Sequence, residues 1–211
     1  MSNVDSRSIS RYERRRMETR GKILAAAGEI FGQQGVKATT VLDICEQADV
    51  AQQTFFNHFP TKGDLLLEMG RMGREFLIAS VDSALGRSAS TTARLEEIFT
   101  GLFAASIDTG PMHHELVTEI SHGAQAAALD EATLRLRDAF VRLVRAGQLQ
   151  GDVTRAHSAV ELTRIFGGSL AALSNEWAND PDLPVKRRAR ALARVLGELV
   201  QPRAAGIRAE Q

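Results

Sequence analysis

The chain has 211 residues, 44 % of them hydrophobic, and its 26 basic and 26 acidic residues cancel to a formal net charge of zero. That length holds one large domain or a small domain fused to a larger one, with enough apolar content for a core, and the balance of charge excludes a uniformly basic nucleic-acid coat. Abundant Ala, Leu, Arg and Glu beside five prolines and one tyrosine favour an all-α fold, and the single cysteine, Cys45, cannot form an intrachain disulfide.

The first 22 residues carry seven bases (Arg7, Arg11, Arg14, Arg15, Arg16, Arg20, Lys22) against three acids (Asp5, Glu13, Glu18). Residues 1–14 are expected to be a flexible basic arm, which either contacts phosphates or solvates a loose end. From Arg15 to Gln34 a helix is predicted, because Ile23, Leu24, Ala27, Ile30 and Phe31 share one face and Gly32 and Gly35 stop it. Thr40 and Asp43 form a capping box that opens a second, short helix with Val41, Ile44, Cys45 and Ala48 inward. After the turn at Ala48-Asp49-Val50, a third helix runs from about Ala51 to His58 and ends before Pro60, which pushes its neighbour out of helical geometry. Thr61 and Asp64 are another capping box, starting a fourth helix that continues through Leu85.

Further helices are predicted at Thr92 to Ile107, Pro111 to Ile120, Ala126 to Ala146, Arg155 to Asn179 and Pro184 to Val200, about nine in all. No apolar run approaches the roughly 20 residues that span a bilayer, and no secretory signal is apparent, so a cytoplasmic protein with no membrane partner is expected. In the last two helices Ala159, Leu162, Phe166, Ser169 and Leu173, and then Val185, Ala189, Leu192, Leu196 and Leu199, alternate steps of three and four. That is the spacing of a bundle seam, within one chain or between two.

The third helix carries the chemistry. Its rotation puts Val50, Phe55 and Phe59 toward the core and gathers Gln52, Gln53, Phe56 and Asn57 on the other side. Amides pair bidentately with adenine, hydroxyls bond donors or acceptors, and apolar groups meet the thymine methyl, so this face suits the major groove. A short helix, tight turn and short helix is the helix-turn-helix arrangement. The competing reading is a surface helix that happens to be polar.

From Arg20 to Leu66, ILAAAGEIFGQQGVKATT and VLDICEQADVAQQTFFNHFPTKGDLL resemble the DNA-binding domain of the TetR (tetracycline repressor) family of bacterial transcriptional regulators. The resemblance implies a helix-turn-helix domain at 15–62, a helical-bundle effector-binding and dimerisation domain at 63–203, and a loose tail at 204–211. It implies DNA contacts from Thr40, Gln52, Gln53, Thr54, Phe56, Asn57 and Lys62, with Thr39 and His58 as further positions. On such a head, Arg14, Arg15 and Arg16 are expected to follow phosphates or enter the minor groove. Three residues depart from the family pattern: Phe56 replaces Tyr, Asp49 replaces the turn Gly, and Ala51 replaces a Ser or Thr cap.

The expected function is that of a dimeric repressor that binds a palindromic double-stranded DNA operator and is released by a small, largely apolar effector. Candidate pocket residues are Met72, Phe76, Phe99, Phe103, Met112, His113, Leu116, Phe140, Phe166 and Trp177, the apolar and aromatic ones each an ordinary core residue when taken singly. Leu162, Phe166, Ser169, Leu173, Leu192, Leu196 and Leu199 are the candidate homodimer interface. Glu115, Glu119 and His122 share a helix face near His113 and His114, but Thr118 stands where a metalloprotease motif needs its second His. No metal, cofactor or catalytic residue is expected. The rival readings are an all-α small-molecule enzyme or carrier, and a helical scaffold that has lost DNA binding.

Overall fold

Ser10 starts the first helix, α1 (Arg11–Gln34), by accepting the Glu13 N–H while the Glu13 carboxylate accepts the Ser10 N–H. The structure is a computed structural model that describes residues 10–107, 131–180 and 182–202. Because of this capping box the helix begins four residues before the predicted Arg15, and Arg11 to Arg16 lie on its first turns rather than on an arm. Residues 1–9 and 203–211 lie outside the described residues.

Helices α2 (Val41–Ala48) and α3 (Gln52–His58) follow, and α4 (Lys62–Leu85) leaves the head for the body. The Thr40–Asp43 and Thr61–Asp64 boxes form as the sequence predicts. Ile23, Ala27, Phe31, Val36, Ile44, Cys45, Phe55, Phe59, Leu65 and Leu66 make a separate core for this head.

The body holds α5 (Thr91–Ile107), α6 (Glu131–Gln150), α7 (Ala159–Asn179) and α8 (Val185–Leu199), so every described element is helical and eight helices are described. The predicted helix at Pro111 to Ile120, with Met112, His113, Leu116 and the His114/Glu115/Glu119/His122 cluster, lies outside the described residues. Ion pairs from Arg135 to Glu75 and from Arg142 to Asp82 set α6 alongside α4 in the same direction. On α8, Gly197 packs against Thr92 of α5; a Cβ there would lie 2.2 Å from the Thr92 hydroxyl oxygen. Gly147 fits as tightly against Thr91 and Val153, and α6 runs through it to Gln150, past the predicted end at Ala146. Gly151, with φ 90°, provides the left-handed exit. Ser158 and Glu161 form a further capping box, which moves the start of α7 from the predicted Arg155 to Ala159.

The body core shows where two sets of candidate residues lie. Phe99, Phe103, Phe140, Phe166 and Trp177 are buried against their own chain, with Phe103 and Trp177 meeting edge to face at 5.8 Å. Met72 and Phe76 are instead about half exposed, and Phe76 lines an open groove with Ser80, Ser83, Glu97, Ile98 and Gly101. Leu162, Phe166, Leu173 and Leu196 are also core, because the three-four stripe turns toward α5 and α6 and not outward. Leu192 packs partly against that core, Ser169 is half-buried, and Leu199 is 71 % exposed. None of the described helices is long and apolar enough to cross a membrane.

Candidate nucleic-acid interface

The head presents α3 through a turn that one residue makes possible. Asp49 sits in the left-handed region at φ 52°, ψ 54°, a conformation that Asp reaches more easily than most side chains. Its N–H donates to the Glu46 carbonyl at 3.2 Å and the Val50 N–H donates to the Cys45 carbonyl at 3.0 Å, closing α2. Beneath the turn, burial pushes the Cys45 thiol above its ordinary range, which leaves it a small apolar core group.

Helix α3 is anchored by Phe55, fully buried, with Phe59 tilted against it at 5.9 Å between ring centres. Gln52, Gln53, Phe56 and Asn57 stand exposed and Thr54 is half-buried at the margin, the division of faces that the sequence predicts. Gln53 donates to the Asn57 side-chain oxygen at 3.2 Å, so two amides are held as one polar unit. Phe56 leans edge-on against Phe55 and remains 44 % exposed. The helix has no side-chain cap at Ala51 to accept from its first N–H groups.

Three sequence-predicted positions are placed differently from a simple surface contact. Thr39 is 1 % exposed: its hydroxyl donates to the Gly35 carbonyl at 2.7 Å and accepts from Gln34, so it supports the α1–α2 turn from inside. Lys62 is half-buried, and its ammonium donates to the carbonyls of Val36 and Thr39. His58 is also half-buried, and its Nδ1 has no hydrogen-bond partner among the described residues. Burial, with Arg16 and Arg20 nearby, lowers its pKa below the ordinary 6.5. Thr40 stays exposed at the start of α2, its oxygen accepting the Asp43 N–H.

Arg20 is a member of the site that sequence reading counts only as part of a basic stretch. It donates to the His58 carbonyl at 3.1 Å and lies 3.4 Å from the Glu68 carboxylate on α4. Its helical spacing from Arg16, one turn away, is the signal that places both on the α3 side of α1. Arg11, Arg14 and Arg15 are exposed on the first turns of the same helix. Arg16 and Arg20 of α1 therefore lie beside the His58 end of α3, at one polar, basic end of the molecule. Among the described residues no group of three or more His, Cys, Asp or Glu could hold a metal ion.

This end is also where the chain matches known proteins. Residues 23–69 match the family of bacterial regulatory proteins called the tetR family. The HTH-type transcriptional repressor KstR2 of Mycobacterium tuberculosis is 31 % identical over 109 residues, 52 % of each chain, so the match spans about half the length of that relative. The HTH-type transcriptional activator FasR of Mycolicibacterium smegmatis is 26 % identical, covering 82 % of this chain and 77 % of its own. The whole fold resembles that of Thermus thermophilus FadR, a TetR-family repressor solved with lauroyl-CoA. The TM-score is 0.67 and the identity 24 %, covering 89 % of this chain and 98 % of that one.

Proposed function

We propose, from the premise that this chain belongs to the tetR family through its head, that it is a ligand-responsive DNA-binding transcriptional regulator rather than an enzyme. The observation that carries the reading is α3: a seven-residue helix held from below by Phe55 and offering Gln52, Gln53 and Asn57 outward from a helix-turn-helix bend. Amide pairs of this kind read adenine in the major groove, while Thr40 and the α1 arginines supply phosphate contacts. The regulator acts as a repressor on a palindromic operator, one half-site for each head of a homodimer.

The homodimer uses the outer faces of α7 and α8. Ile165, Gly168 and Ala172 on α7, and Ala191, Val195 and Leu199 on α8, are exposed and form apolar or small-residue stripes. Ile165 is 52 % and Val195 51 % exposed, which fits a patch awaiting a second copy better than a solvated face. A small, largely apolar effector binds in the body and releases DNA by favouring a conformation that holds the heads out of register.

The test is a gel shift with the duplex upstream of the protein's own coding region, titrated with salt and then with lauroyl-CoA. The expected result is a shift that weakens with salt, and reversal by lauroyl-CoA assigns an acyl-CoA effector to the body. A duplex that never shifts at low salt overturns the DNA-binding reading. A shift that lauroyl-CoA leaves unchanged rejects this compound as the effector.

A further inference from the structure

Lys62 occupies the first position of α4, where a cation meets the positive end of the helix dipole and gains nothing locally. Its side chain turns away from that end. The ammonium reaches across the head and donates to the Val36 carbonyl at 2.7 Å and the Thr39 carbonyl at 2.8 Å. Both acceptors belong to the turn between α1 and α2, where no helix supplies a partner for them. Val36 and Thr39 are each 1 % exposed, so their carbonyls would otherwise be desolvated and unpaired.

The turn reached by Lys62 is tightly specified at both ends. Gly35, at φ 83°, ends α1, and the Thr39 hydroxyl folds back onto the Gly35 carbonyl. The next residue, Thr40, caps α2, and its box partner Asp43 feels the positive charge of Lys62. The ammonium thus joins the first turn of α4 to the α1–α2 turn that leads into α2, and α3 lies in the chain between those two points. Two of its three N–H groups are committed to this junction before any DNA arrives.

We propose that Lys62 is a positioning residue: its ammonium clamps the α1–α2 turn to the start of α4 and so fixes where Thr40 and α2 stand relative to the recognition helix. The proposal rests on the DNA-binding reading for its consequence, but the clamp itself exists in the free protein. It replaces the direct DNA contact that the family resemblance implies for this lysine.

The experiment compares wild type with Lys62→Met and Lys62→Arg in two measurements on the full chain. Backbone hydrogen exchange without DNA should quicken at residues 36–43 in both variants, since the guanidinium fork of Arg does not reproduce a compact ammonium between two carbonyls. Gel shifts with the upstream duplex at several salt concentrations should show affinity lower by on the order of tenfold in both variants. The salt slope of Lys62→Arg should match wild type. A phosphate contact predicts the opposite pattern: unchanged exchange at 36–43, full affinity in Lys62→Arg, and a slope reduced by about 0.9 per lost contact in Lys62→Met. That pattern, or wild-type exchange and affinity in both variants, overturns the proposal. If wild type itself shifts no duplex while exchange quickens in the variants, the clamp stands and the DNA-binding reading falls.

Discussion

The guanidinium carbon of Arg20 lies 4.3 Å from the centre of the Phe59 ring. The same side chain holds the His58 carbonyl and approaches Glu68, so one residue of α1 ties the end of α3 to α4. Glu68 is held below its ordinary pKa first by its hydrogen bonds from Arg71 and then by the charge of Arg20, which keeps it ionised as the common partner. Replacing Arg20 by Ala removes the ring contact and a charge-assisted hydrogen bond together. The expected cost is about 1–2 kcal/mol of stability in urea unfolding, with weaker DNA binding. Arg20→Lys should recover only part of it, because a point charge cannot face the ring, the carbonyl and the carboxylate at once.

What the sequence made legible and what it hid divide along physical lines. The boxes at Thr40–Asp43 and Thr61–Asp64 were readable because each pattern is local and an apolar stripe follows at once. The equivalent Ser10–Glu13 box precedes a polar stretch with no apolar residue pattern until Ile23, so nothing marked it as a helix start. Long-range partners were hidden altogether: Lys62 meets carbonyls 26 and 23 residues away, and Gly147 is needed within α6 only because Thr91 and Val153 press on it. The stripes of α7 and α8 announced an apolar face, but spacing does not say whether the facing helix belongs to the same chain.

Ala51 offers a gain. Its backbone, at φ −68° and ψ 148°, already has the geometry of a capping residue, and no side chain accepts from the first turn of α3. Ala51→Ser should stabilise the head by about 1 kcal/mol, seen as a higher urea midpoint with an unchanged m-value. A lower midpoint would mean that the hydroxyl cannot reach the α3 N–H groups.

On the DNA-binding reading, Phe56 separates two ways of meeting DNA. Its ring meets the Phe55 ring at nearly a right angle and the residue is 44 % exposed, so a hydroxyl added to the ring can reach out of the head. Phe56→Tyr should tighten binding by about 1 kcal/mol through a phosphate hydrogen bond, with the ranking of single-base operator variants unchanged. A changed ranking would assign the ring to base reading.

His58 sets a pH dependence whose sign follows from its lowered pKa. In the unfolded chain it takes a proton near 6.5, whereas in the head burial and then Arg16 and Arg20 hold it neutral to lower pH. The unfolded state therefore binds more protons across the window from about 6.5 down to the folded value, and stability falls as pH falls through it. His58→Gln should flatten the slope of unfolding free energy against pH between 5 and 7, measured by urea titration at fixed salt. A slope as steep as wild type would assign the dependence to other groups.

The two faces of α8 make the proposed dimer testable one residue at a time. Leu196 is 2 % exposed and faces its own core, while Val195, the adjacent residue, is 51 % exposed and lies on the stripe with Ala191 and Leu199. A charge at Val195 has room in the isolated chain but would be desolvated without a partner against a symmetric copy. Val195→Glu should therefore yield a folded monomer, with halved mass by light scattering and helical content near wild type. Leu196→Ala should do the reverse, lowering stability by about 2–5 kcal/mol through a cavity while leaving the surviving folded protein dimeric. A dimer that persists with Glu at 195 would move the interface off this face of α8. The half-site spacing would then have to be set by another pair of helices.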